Sequence, residues 1–331
     1  MDAAASPPEI LAVDADESFV VSASASGTVS VRSLAGHLVA RHRARGAGCV
    51  SWAVDAPSRR AVCAIDLPDS GERPSHEWFD LSTGRARVAR WSQSSVVAIE
   101  GHGTTWSAGY DHTGWIDAAA RGSEEDVQVP ARSEPRLARQ PRTARIVEGG
   151  RSVAFGAAIF ESPIESARTY WGGLGLWLMD RRGAITALDD RLAVLDLATD
   201  EAGDLLAIAT NAGIELWQRT GPSAWARRWS RRDPSVDKTV GRTSPKPVIA
   251  LSRDGVLLAA TDGDAPHTIA VYEAITGARI DALTIGAPDR FVTALAIGSG
   301  GAIYAGTSTG RVLALALRPG QPALSPRARR R

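Results

Sequence analysis

Apolar and polar positions fall in short alternating runs along this chain, not in helical stripes. The clearest stretch is Val248–Glu273. Two apolar runs flank the turn Ser252-Arg253-Asp254-Gly255, and a polar turn then leads to a third run, Thr268–Glu273, that alternates. Asp-Gly between apolar runs marks a hairpin, because Gly255 can take the positive φ that a tight turn requires. The stretch therefore predicts three antiparallel strands in a meander.

The alternating third run has counterparts at Gly27–Arg32, Glu77–Leu81, Thr113–Ala118, Gly173–Asp180, Gly213–Gln218 and Gly310–Leu317. The run before each also recurs, at Phe19–Ser22, Arg60–Ile65, Thr105–Gly109, Ser152–Ala157, Leu205–Thr210, Val256–Thr261 and Ile303–Thr307. Anchored on Val20, Val62, Trp106, Val153, Leu206, Leu258 and Ile303, the spacings are 42, 44, 47, 53, 52 and 45 residues. A period of roughly 40–50 residues with four short strands per unit is a propeller signature. The expected fold is all-β: a seven-bladed β-propeller of four-stranded antiparallel blades, with six or eight blades left open. Blade limits fall near 10–45, 46–92, 93–142, 143–190, 191–245, 246–288 and 289–324, and 325–331 form a basic tail. No linker divides the chain, so residues 1–324 read as one domain. The irregular parts are Asp66–Pro74, Arg121–Arg145 and a long insert, Arg219–Lys246. Blade seven lacks a good fourth strand, which either Ala5–Glu9 or Pro319–Leu324 is expected to supply.

Composition narrows the function. A 44% hydrophobic content supports a sizeable core, and a net charge of +1 gives no global field that selects nucleic acid or an anionic membrane. Lysine occurs only at 238 and 246, so the basic residues are nearly all arginine, as in a GC-rich, bacterial-type genome. The N-terminus lacks the basic and apolar regions of a signal peptide, and no apolar run is long enough to span a bilayer. Cys49 and Cys63 read as two reduced core thiols. The expected location is the cytoplasm.

The pattern resembles the WD-repeat propellers. Ile249–Ala260 is similar to that family's strand, Ser-Pro-Asp-Gly turn and strand, with Arg253 where proline is common. Leu216-Trp217-Gln218 is similar to the Leu-Trp-Asp ending, with Tyr272-Glu273 and Val31-Arg32 in the same place. No blade carries the Trp-Asp pair, and Gly36-His37 falls after a third strand, not before a first one. The resemblance implies a rigid, non-enzymatic platform that binds other proteins, as a scaffold or recognition subunit of a bacterial signalling or stress-type assembly. Fold alone does not fix function. Two other classes stand beside this one: a propeller hydrolase or lyase with a metal or acid-base site in the central channel, and a nucleic-acid binder using Arg-rich inserts.

Motifs that could carry chemistry read better as turns. Gly306-Thr-Ser308-Thr-Gly310 spells the nucleophile elbow, but no helix follows it. Glu100, His102, Asp111 and His112 could meet at one rim, yet Asp111-His112-Thr113-Gly114 is also a polar turn. Asp254, Asp262 and Asp264 lack calcium-loop spacing. His76 and His267 sit in what read as similar turns. No cofactor motif is present. Most of the ten tryptophans are expected to pack between blades. The candidate partner site is the insert 219–246, with eight basic residues against two acids. Trp225 and Trp229 stand there among Arg227, Arg228, Arg231 and Arg232. They read either as aromatic anchors framed by guanidinium groups, suited to an acidic protein surface, or as a fourth strand with both rings packed on a neighbouring blade. Neither nucleic acid, membrane nor a small-molecule substrate is the expected partner.

Overall fold

The computed structural model describes residues 8–44, 48–65, 76–89, 94–99, 104–109, 113–117, 143–157, 160–161, 170–171, 175–210, 212–232, 246–261, 265–286, 289 and 291–317. Each repeat folds as an antiparallel meander. The first sheet is β1 (Ile10–Ala15), β2 (Phe19–Ser24), β3 (Thr28–Ser33) and β4 (Leu38–Arg43). The second is β5 (Ser51–Asp55), β6 (Arg60–Ala64), β7 (His76–Asp80) and β8 (Arg85–Ala89). The third has β9 (Ser94–Ile99), β10 (Thr104–Gly109) and β11 (Thr113–Asp117).

The fourth sheet joins β12 (Thr143–Val147), β13 (Ser152–Ala157), β16 (Gly175–Asp180) and β17 (Ile185–Asp189). Between β13 and β16 lies a two-stranded ribbon, β14 (Phe160–Glu161) with β15 (Tyr170–Trp171), which the sequence pattern did not predict. The fifth is β18 (Val194–Thr199), β19 (Leu205–Thr210), β20 (Gly213–Gly221) and β21 (Ala224–Arg232). The sixth is β22 (Ile249–Leu251), β23 (Leu257–Thr261), β24 (Thr268–Glu273) and β25 (Arg279–Thr284), and the seventh is β26 (Val292–Ile297), β27 (Ile303–Thr307) and β28 (Val312–Leu315). The predicted meander and its Gly255 turn, at φ +69°, are therefore present. So is the hairpin at Gly306–Gly310 that displaces the nucleophile-elbow reading.

The architecture is an all-β propeller of antiparallel, mostly four-stranded blades. Each sheet's first strand lies at the centre against its successor: β1 against β5, β5 against β9, β9 against β12, β12 against β18, β18 against β22, β22 against β26, and β26 against β1. Apolar clusters fill the gaps. Val21, Val31, Trp52 and Phe79 join the first sheet to the second, and Trp106 stacks on Phe155 between the third and fourth, with ring centroids 5.6 Å apart. Ile10 and Val13 meet Ala296 and Tyr304 between the last sheet and the first. Burial falls from centre to rim. All six residues of β19 are buried, whereas β4 reads exposed, exposed, half-buried, exposed, half-buried, exposed. No helix among the described residues is long and apolar enough to cross a membrane.

Three expectations change. Cys49 and Cys63 are bonded to each other, with Cα atoms 5.8 Å apart, not reduced. Trp52 pairs with Cys63 across β5 and β6, and Cys49 lies just before β5, so the strand pairing itself brings the two sulfurs together. His76 is not in a turn. It is fully buried in β7 and stacks on Trp78 at 5.6 Å, because β7 begins one residue earlier than expected. Glu9 does not close the seventh blade. Its carbonyl accepts the Ala25 N–H at 2.9 Å, which extends the innermost strand of the first sheet instead. Residues 1–7 and Pro319–Leu324 lie outside the described residues, as do Glu100, His102, Asp111, His112, Asp262 and Asp264.

Candidate functional site

The first half of the 219–246 insert is ordered as strand, and residues 233–245 lie outside the described residues. β20 and β21 each run nine residues, against four to six in the third and fourth strands of the other blades, and β21 is the outermost strand of its sheet. Its register carries the key detail. Leu216 pairs with Trp229 and Trp217 with Arg227, so Arg228 is one extra residue, a β-bulge. Side chains alternate faces along a strand, and one inserted residue inverts the alternation. Trp225 and Trp229, four apart, therefore point to opposite faces of the blade.

Each indole packs on a different neighbour. Trp225 lies against the cluster shared with the fourth blade and donates Nε1–H to Glu148 at 3.3 Å. Trp229 lies against the cluster shared with the sixth and donates to the Ala274 carbonyl at 2.8 Å. Both rings are half-buried on a fourth strand, as the packed-strand alternative expects, but on two neighbouring blades instead of one. The arginines are what β21 leaves outside. Arg227 is exposed and reaches the buried Glu215 at 3.4 Å, where Trp217 and Ser230 also donate. Arg228 donates to the Ile275 carbonyl at 2.9 Å and to Gln218 at 2.5 Å. Arg231 lies over the Tyr272 ring at 5.6 Å. Three guanidinium groups are thus presented on a rigid edge, and the side chain of Arg232 lies outside the described set.

The central channel is the second candidate. It encloses about 680 Å³ and is lined by the first strands. At one mouth Arg253 crosses from the sixth blade to Asp14 of the first at 2.6 Å and Asp55 of the second at 3.7 Å. Both carboxylates are already engaged: Asp14 accepts the Ala56 N–H at 2.7 Å, and Asp55 accepts the Ser58 N–H and hydroxyl. Arg253 stands where the resembled family favours proline, and nothing in the sequence showed that it reaches across the ring. Among the described residues, no group of three or more His, Cys, Asp or Glu side chains converges as metal ligands.

Burial pushes the Asp14 carboxyl above its ordinary value of 3.8, with Arg253 pulling the other way. A carboxyl raised in the folded state stabilises the fold most below its unfolded value, and that contribution is lost as pH rises through the raised one. The melting temperature of the wild type relative to Asp14→Asn is therefore expected to fall as pH rises from about 3.5 towards 7. A pH-independent difference would remove Asp14 from this role. Arg253→Ala should cost about 2 kcal/mol at neutral pH, since it leaves two partly buried carboxylates facing each other.

No protein-family profile matches this chain, and no curated protein matches it. Among solved structures it is similar to the Cps50 (Swd1) β-propeller domain of Myceliophteria thermophila, with a TM-score of 0.66 at 16% identity over 92% of this chain and 95% of that one. At that identity the likeness shows the fold, a β-propeller, and the fold alone.

Proposed function

We propose that this chain is a non-enzymatic, WD-repeat-like interaction platform, and that it docks an acidic partner protein through the outer edge of the fifth blade. One observation carries the reading: the nine-residue β21 holds Arg227, Arg228 and Arg231 outward while its two tryptophans anchor the strand in the blades on either side. Guanidinium groups fixed in this way suit bidentate carboxylate contacts at low entropic cost. We further infer that the ring is seven-bladed, from the closed circuit of first strands. The proposed setting is a bacterial multiprotein assembly. The Cys49–Cys63 bond favours an oxidising compartment over the cytoplasm expected from the sequence.

The test is an affinity pull-down from the native cell with wild type, Arg227/Arg228/Arg231/Arg232→Ser, and a triple variant that keeps Arg227. The triple variant leaves the buried Glu215 its partner, so any loss of binding is separable from a loss of stability. Partner recovery should fall at least about tenfold in both variants and decline with added salt. Full recovery by folded variants at low and high salt would remove β21 as the docking edge. Recovery that depends on intact nucleic acid in the lysate would favour the nucleic-acid reading.

A further inference from the structure

Three of the five exposed large hydrophobic side chains among the described residues gather on one hairpin. Leu34, Leu38 and Val39 are 45%, 48% and 55% exposed, within six residues of the first blade. The backbone explains why Leu38 and Val39, adjacent in sequence, are both outside. Arg32 pairs with Leu38 and Val31 with Ala40, so Val39 is the bulged residue of β4. Without the bulge, alternation would turn one of the two inward.

β4 is also the outermost strand of its sheet. Edge strands commonly carry arginine or lysine against self-pairing, and Arg41 and Arg43 are exposed on β4 as that rule expects. Three exposed aliphatic side chains do the opposite. They extend an edge that invites another strand, and such patches mark interaction sites.

Charge selects the occupant. Residues 18–54 contain no Asp or Glu, yet hold Arg32, Arg41, Arg43 and Arg45 with His37 and His42. The carboxylates just before this stretch are Asp16, which accepts the N–H groups of Ser18 and Phe19 in its own turn, and the exposed Glu17, so the stretch itself remains purely basic. Arg85 and Arg87, exposed on the outer strand of the second blade, continue the basic band. An isologous contact with a second copy would set this band against itself.

We propose that the outer edge of the first blade is a second docking surface, taking an extended acidic segment of a partner protein that carries aliphatic residues. Leu34, Leu38 and Val39 would bury the aliphatic side chains, Arg41 and Arg43 would meet the carboxylates, and the outer edge of β4, which no other described strand covers, would pair with the segment's backbone. This surface does not rest on the reading of the fifth blade, and its test leaves β21 untouched.

The probe is a labelled peptide that alternates Asp or Glu with Val or Leu, titrated by fluorescence anisotropy against the whole protein. Controls replace its acids with Lys, or its aliphatic residues with Ser. The acidic aliphatic peptide should bind in a salt-sensitive way, and each control at least about tenfold more weakly. Leu38→Ser/Val39→Ser and, separately, Arg41→Ser/Arg43→Ser should each cost about tenfold or more while the melting temperature holds. Arg228→Ser/Arg231→Ser should bind the peptide as wild type does. Equal binding of all three peptides, no binding at about 1 mM, or unchanged binding by the β4 variants would overturn the proposal. A concentration-dependent dimer in sedimentation, dispersed by Leu38→Ser/Val39→Ser, would also overturn it by assigning the edge to a second copy.

Discussion

Gly203→Val is expected to leave little folded protein. Gly203 sits in the turn between β18 and β19 at φ +68°, a region that side chains with a Cβ rarely enter. A Cβ there would lie 2.5 Å from the Glu148 nitrogen and 2.8 Å from two backbone atoms of Val147. That backbone belongs to the neighbouring blade and cannot swing aside as a flexible side chain could. It is also held in place, because the Glu148 N–H donates to the Gly203 carbonyl at 2.9 Å. The same turn supports Glu148, which accepts from Ser152, Ser223 and Trp225. One substitution thus combines backbone strain, a steric clash and a broken contact between blades, for a loss of about 4 kcal/mol or more. Gly203→Ala should be milder in volume but keep the strain. If Gly203→Val is recovered in soluble form with a wild-type melting curve, the tight approach of the fourth and fifth blades at this turn is wrong.

The Cys49–Cys63 bond should be the next largest contributor. It closes a loop of 14 residues in separation and ties the connection entering the second blade to that blade's β6. Cross-linking a loop of this length restricts the unfolded chain by about 3 kcal/mol, or roughly 4 °C in a chain this size. Both sulfurs lie within the cluster that fills the space between the first two blades, so reduction also places two thiols in a tightly packed core. Cys49→Ser/Cys63→Ser, or wild type with dithiothreitol, should lower the melting temperature by that amount. Thiol titration under denaturing, non-reducing conditions should find no free cysteine, since both are bonded. A reductant-insensitive melt together with two titratable thiols would return the pair to the reduced state expected from the sequence, and with it the cytoplasm.

What the sequence could show depended on burial. Second and third strands stood out because one is apolar throughout and the other alternates: β13, β19 and β27 run over the same residues as the expected strands. Fourth strands did not. In β4, β17, β21 and β25 the described side chains are exposed or half-buried, and one extra residue breaks the alternation, so the period that betrays a strand is lost where it is weakest. Trp225 and Trp229 illustrate this. Their spacing of four suggested one shared face, and the Arg228 bulge puts them on two. The arginines around them were legible as a charge excess, but not which of them are exposed. The β14–β15 ribbon was invisible because strands of two residues carry no period. The aliphatic cluster at Leu34, Leu38 and Val39 looked like ordinary strand residues. Only the bulge at Val39 shows that both members of the Leu38-Val39 pair face outward.

The Arg253 contact has a mechanical meaning. A propeller transmits load around its rim, blade by blade, so a ring without cross-links is only as strong as its weakest joint. The joint between the last and first blades is filled by Ile10, Val13, Ala296 and Tyr304, with the Thr293 hydroxyl on the Ile10 carbonyl and Gly306 seated beneath Ile10. Arg253 acts as a chord across the circle. It ties the sixth blade to the first and second and bypasses the seventh. Tension that opened the terminal joint would still find the ring bridged from the sixth sheet to the first and second.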